Sequence, residues 1–230
     1  MKLKKGMRAL SLLLVMILAG AMLVPAVSAY QADAYGFNTN DPSPLDTRST
    51  ANYVKNKLSS MGYNPSDRHY DDRALDGFEE LKNTDVFFFS GHSSPGRLQF
   101  GKNSADRFTF IFADGTLLPR ISNMPQNQLS NLKLALYLGC YTGITDSNLG
   151  NLVYKTSDKG VKCVIGFKES INSIAADYWA RQFYDKLDNR QNIGNAFDSA
   201  WWALFLEYGN DGGISKKIID GDETQIIDLY

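Results

Sequence analysis

Two residues able to do covalent chemistry stand in matching surroundings. His92 closes the run Asp85-Val86-Phe87-Phe88-Phe89-Ser90-Gly91-His92, and about 50 residues later Cys140 follows Leu132-Lys133-Leu134-Ala135-Leu136-Tyr137-Leu138-Gly139. An imidazole beside a thiol is a base beside a nucleophile. The thiol attacks a carbonyl while the imidazole moves protons to the leaving group. Backbone N–H groups would stabilise the oxyanion that forms, and those of Cys140 and Ser93 are the candidate donors. No third member of a triad can be read from the chain. His69, the other histidine, lies in the charged stretch 64–73 and reads as an exposed, non-catalytic side chain.

The elements that must position these groups are also legible. Each run has the length and composition of a buried strand and stops at a reactive residue followed by loop-forming residues. In an open parallel α/β sheet, chemistry collects outside the carboxyl ends of the strands, so neighbouring strands would bring His92 and Cys140 together. The flanking Gly139 and Gly143 permit a sharp turn and close approach of a substrate backbone. Helical stripes are expected over Thr50–Met61 (Tyr53, Val54, Leu58, Met61), Ile171–Leu187 (Ile174, Tyr178, Phe183, Leu187) and Ile193–Tyr208, with shorter helices near Leu75–Leu81 and Asn148–Thr156. Strands are expected at Asp85–Ser90, Arg97–Phe100, Arg107–Ala113, Leu132–Leu138, Val161–Gly166, Lys217–Ile219 and Gln225–Leu229. Strands alternating with helices define an α/β fold, a three-layer sandwich with a mostly parallel sheet flanked by helices.

The chain's 230 residues, 43% hydrophobic and 12% aromatic, are ample for a buried core, and the net charge of -1 gives no electrostatic reason to expect nucleic acid or an anionic membrane as partner. Residues 1–29 differ in kind. Lys2, Lys4, Lys5 and Arg8 precede an apolar stretch from Ala9 to about Val24, and Val27-Ser28-Ala29 offers small residues for cleavage. This reads as a cleaved secretory signal, with an uncleaved N-terminal anchor as the competing reading, and the protein is expected to be secreted or extracytoplasmic. Residues 30–48 read as an extended, turn-rich lead-in and 49–230 as the folded domain.

An exported chain with Cys140 and Cys163 could use them in one disulfide. Cys163 lies within an apolar strand pattern while Cys140 lies past the end of its own, a depth difference of roughly 10 Å at about 3.3 Å per residue. A disulfide needs Cα atoms within about 7 Å, so Cys163 reads as a small buried hydrophobe. Two His and two Cys do not make a zinc site of the usual kind. Asp220, Asp222 and Glu223 read as a charged turn rather than a calcium site, and no metal or cofactor is expected. Trp201 and Trp202 read as core packing, not a sugar platform.

The order and spacing of these segments resemble a known group. An apolar strand then Ser90-Gly91-His92, an apolar strand then Gly139-Cys140-Tyr141-Thr142-Gly143, and Gly160-Val161-Lys162-Cys163-Val164-Ile165-Gly166 are similar to the caspase–gingipain superfamily of cysteine peptidases, nearest its CHAT (separase-like) and gingipain branches. The likeness spans roughly residues 80–228 and takes in Ala175-Ala176, Phe183-Tyr184, Ile193-Gly194-Asn195-Ala196 and Asp220-Gly221-Asp222-Glu223-Thr224. It implies a caspase-like sheet, His92 as general base, Cys140 as nucleophile, and a protein or peptide substrate cut through an acyl-thioester. Ser93 stands where the family usually has glycine, a position that Ser is expected to occupy only with backbone strain. The alternative reading is therefore a weak or inactive domain of the same fold, acting as an extracellular binding or assembly module. The family selects basic substrate side chains with a pocket carboxylate, and Asp114, Asp146 and Glu169 are the candidates.

Overall fold

A computed structural model describes residues 30–66, 73–101 and 109–230. The N-terminal segment 1–29, His69 and the start of the expected strand at Arg107 lie outside the described residues. In chain order the elements begin β1 (Gln31–Gly36), β2 (Asn38–Thr39), β3 (Leu45–Asp46), α1 (Arg48–Ser60), β4 (Asn64–Pro65), α2 (Ala74–Leu81), β5 (Val86–Ser90), β6 (Ser93–Ser94), β7 (Arg97–Gln99) and β8 (Phe110–Phe112). They continue with β9 (Leu134–Leu138), α3 (Leu152–Ser157), β10 (Cys163–Phe167), α4 (Ser173–Asp188), α5 (Ile193–Tyr208) and β11 (Lys217–Gly221).

The central sheet runs β11-β10-β9-β5-β1-β4, parallel throughout except for β11, which pairs antiparallel with β10. This is the α/β fold with a mostly parallel sheet that the alternating elements predict. Its strands are near-continuous apolar runs because both faces are covered. Along β5, Val86 and Phe88 pack with Val54, Phe183 and Tyr184 on the side of α1, α4 and α5. Phe87 and Phe89 point the other way, toward Tyr35, Phe37, Phe100 and the residues of α2 and α3. Trp179 of α4 is fully buried between Phe167, Phe183 and Phe197. Asn172 and Asn192 cap α4 and α5 with their side chains, and Gly209 closes α5 in the left-handed conformation.

Four expectations are corrected. Residues 31–36 are not a lead-in: β1 is an internal strand between β5 and β4. Ala32, Ala34 and Gly36 keep it thin, since a Cβ on Gly36 would lie 2.5 Å from the Thr47 carbonyl oxygen and 2.7 Å from Ala51 Cβ, and α1 packs directly on it. Residues 225–229 form no strand; the segment crosses the end of α1, with the Tyr63 hydroxyl donating to the Ile227 carbonyl and Leu229 N–H to Met61. Ile174, assigned to the core face of its helix, is 65% exposed. Trp202 does not pack in the core but is exposed, whereas Trp201 packs half-buried against it; both share an aromatic cluster with Phe205.

Both cysteines are free. The β9–β10 register sets Cys163 beside Leu134, six residues before Cys140, a wider separation than the strand patterns imply. Burial pushes the Cys163 thiol up to about 12, the state of an inert core residue.

Asp33 is buried in the middle of β1, and that burial raises its carboxyl above the ordinary range despite hydrogen bonds from Thr84 and Ser66 that lower it. Between the unfolded and the raised folded value the native state holds more protons, so this group takes stability away as pH rises through that window. Asp33→Asn carries no such proton. Its stability relative to wild type is expected to improve in urea unfolding as pH rises above the ordinary carboxylate range, and a pH-independent difference would contradict the assignment.

Candidate active site

The register of the two central strands sets the geometry. Ser90 pairs with Leu138 across β5 and β9, so His92 and Cys140 each lie two residues beyond the same rung of adjacent strands, which are about 4.8 Å apart. Both line one cleft of about 620 Å³, walled by residues 42–50 on one side and by 170–177 on the other.

The Cys140 turn is built by the residues after it. Tyr141 takes a left-handed φ of 61°, and its N–H donates to the Glu169 carbonyl at 3.1 Å. Thr142 is fully buried; its hydroxyl donates to the Tyr137 carbonyl at 2.9 Å and accepts from Phe167 N–H at 3.0 Å, tying the end of β9 to β10. Gly143 has no room for a Cβ, which would meet Ile218 Cγ2 at 2.3 Å. The thiol itself faces the loop after β10: Ile171 N–H donates to Sγ at 3.3 Å and Ser170 Oγ lies 3.5 Å away. Thr142→Val keeps the shape and strands the buried Phe167 N–H, and is expected to cost about 1–3 kcal/mol in urea unfolding; an unchanged midpoint would refute the tie.

His92 is held by a group without a sequence signature. Its Nε2 lies 2.8 Å from the Ser43 carbonyl oxygen. A carbonyl only accepts, so Nε2 carries the hydrogen and Nδ1 is left as the basic nitrogen. Gln99 ties His92 to the loop that leads into Ser43, donating from its backbone to the His92 carbonyl at 3.0 Å and from its side chain to the Asp41 carbonyl at 2.8 Å.

Ser93 is relaxed, against expectation. It lies in the short strand β6, outside the left-handed region. The bond from Gln99 N–H to the His92 carbonyl makes that pair the hydrogen-bonded one, so Ser93, opposite Leu98, turns its N–H away from β7. Its hydroxyl donates to the Cys140 carbonyl at 2.7 Å, joining the histidine and cysteine loops.

The three acidic candidates for substrate selection do not line the cleft. Asp114 pairs with Lys155 at 2.8 Å, which holds its carboxyl down at about 2. Asp146 accepts from the N–H groups of Asn148 and Leu149 in a tight turn, which lowers its carboxyl. Glu169 is exposed and contributes its main-chain carbonyl to the Tyr141 turn. Among the described residues, the carboxylates that do line the cleft are Asp46 and Asp177. Among the described residues no group of three His, Cys, Asp or Glu side chains could hold a metal ion. Asp222 instead accepts from the Thr224 N–H and hydroxyl.

No family model and no curated protein matches the sequence. Solved structures match the fold. The Arg-specific cysteine proteinase gingipain R aligns with a TM-score of 0.64 at 14% identity over 85% of this chain and 47% of that one. The complex of Porphyromonas gingivalis RgpB pro- and mature domains gives 0.62 at 14% identity over 86% of this chain and 48% of that one. Saccharomyces cerevisiae separase, in its complex with securin, gives 0.53 at 15% identity over 86% of this chain and 12% of that one. The chain thus spans about half the length of the gingipain chains. The likeness defines the class of fold, a caspase-like α/β sandwich. No helix among the described residues is long and apolar enough to cross a membrane.

Proposed function

We propose that this protein is a cysteine endopeptidase that cuts polypeptides through an acyl-thioester on Cys140. The single observation that carries the reading is the emergence of His92 and Cys140 at equal depth from paired parallel strands into one cleft. Gingipain R and separase share the fold, and the first is named a cysteine proteinase.

In this mechanism His92 Nδ1 takes the thiol proton, and the thiolate attacks the scissile carbonyl carbon. Ile171 N–H solvates the sulfur anion before attack. The tetrahedral oxyanion is received by the N–H groups of Ser93 and Cys140. His92 then delivers the proton to the departing amine, and water activated by the same nitrogen hydrolyses the thioester. The Ser43 carbonyl does for His92 what an orienting acid does in a triad: it fixes the tautomer and the ring plane. Ser93 is compatible with activity because its N–H is supplied without strain. The positive start and apolar stretch of residues 1–29 support export, and the finer likeness to CHAT-type domains rests on the residues quoted above.

The test is hydrolysis of an unfolded protein such as casein by the purified chain, beside Cys140→Ala. Cleavage lost in the variant supports the reading. Failure of the wild type to cleave, with a thiol that titrates freely, would favour the binding-module alternative.

A further inference from the structure

The side chains around the thiol also bear on what the cleft accepts. We propose, resting on the peptidase reading, that the cleft selects polypeptides with an uncharged side chain at the scissile residue, because each carboxylate lining it already carries an arginine of the same chain.

Asp46 accepts from Arg48 at both oxygens, from Nε to Oδ1 at 2.9 Å and from the terminal nitrogen to Oδ2 at 2.7 Å, and Oδ1 takes the Arg48 backbone N–H at 3.1 Å. A forked guanidinium on both oxygens is the arrangement a substrate arginine would need for itself. Asp177 is occupied in the same way from two sides. The Thr50 hydroxyl donates to Oδ1 at 2.5 Å and Arg181 Nε to Oδ2 at 2.9 Å, with the Arg181 guanidinium stacked 4.7 Å from the Tyr53 ring. An incoming cation would meet a paired carboxylate and a second positive charge a few ångströms off. An incoming carboxylate would meet two arginines already engaged. Neither sign gains.

The remaining wall favours a side chain without charge. Pro44, Leu45, Leu138, Ile171 and Ile174 line the same cleft, and Ile174 stands 65% exposed at the start of α4. An aliphatic side chain seated there removes that surface from water.

The experiment is a matched series of fluorogenic peptides that differ only at the scissile residue, carrying Leu, Gln, Arg, Lys or Asp, with kcat/KM measured for each. The Leu or Gln peptide is expected to lead the charged ones by roughly tenfold or more. Arg48→Gln and Arg181→Gln each uncover one carboxylate, and at least one is expected to raise the ratio of Arg to Leu cleavage by about tenfold. A gain of this kind cannot come from a misfolded protein. A wild type that prefers Arg, Lys or Asp would overturn the proposal while leaving the peptidase reading intact, and so would variants in which neither ratio rises. Absence of cleavage across the whole series would overturn the peptidase reading, and this proposal with it.

Discussion

On the proposed reading, Cys140→Ala is expected to abolish peptide hydrolysis, and His92→Ala to lower kcat/KM by about 10³-fold, the scale on which a positioned base acts. The two side chains do different work, and the variants should separate them. Without Cys140 no acyl-enzyme can form. Without His92 the thiol is still held by Ile171 N–H at 3.3 Å and near Ser170, so a slow reaction with a strong electrophile persists. Neither side chain belongs to the core: both are half-buried at the mouth of the cleft. Their removal should therefore leave the unfolding midpoint nearly unchanged. The check is kcat/KM beside urea unfolding of both variants. A His92→Ala enzyme within about tenfold of wild type would mean that another group supplies the base.

Gly139→Ala is expected to lower activity by about 100-fold, the cost of displacing a reacting group by about an ångström. A Cβ at that position would lie 2.2 Å from Ser93 Oγ, 2.9 Å from the Gly91 carbonyl oxygen and 3.1 Å from Ser93 Cβ. The hydroxyl it strikes is the one that holds the Cys140 carbonyl at 2.7 Å. Relief of the clash moves the nucleophile relative to His92. Ser93→Gly in the same chain removes two of the three contacts and should restore part of the loss, leaving the clash with Gly91. The double-mutant cycle in kcat/KM checks this, and additive losses would show that the two residues do not meet.

How much of this was legible depends on what kind of group carries the information. Residues whose chemistry resides in the side chain, and whose strand is a long apolar run, stand out: β5 and β9 end at His92 and Cys140, and the pairing of their strands follows from an α/β pattern. The helices α4 and α5 announce themselves by periodicity. β1 does not. Gln31-Ala32-Asp33-Ala34-Tyr35-Gly36 has low strand propensity because the helix above it needs small residues and its buried carboxylate breaks the apolar run. The group that orients His92 was invisible for another reason. It is the main-chain carbonyl of Ser43, and any residue there would present the same atom. The acidic candidates failed on direction. A loop at the carboxyl end of the sheet can fall toward either face, and Asp114 turns toward α3 and Lys155, away from the thiol. Asp46 and Asp177 reach the cleft from β3, inside the stretch that reads as a lead-in, and from the first turns of α4, a helix read only for its packing. Ser93 was judged by the glycine it replaces, yet strand pairing with Leu98 gives it an ordinary extended backbone.

The most direct measurement is the site of covalent capture by a peptide acyloxymethyl ketone, located by tandem mass spectrometry in the wild type and in His92→Ala. A single adduct on Cys140, formed at limiting probe and slowed about 100-fold or more by loss of His92, is the result expected of a thiol activated by its neighbour in the cleft. An unlabelled Cys140, or labelling at the same rate without His92, would contradict the dyad.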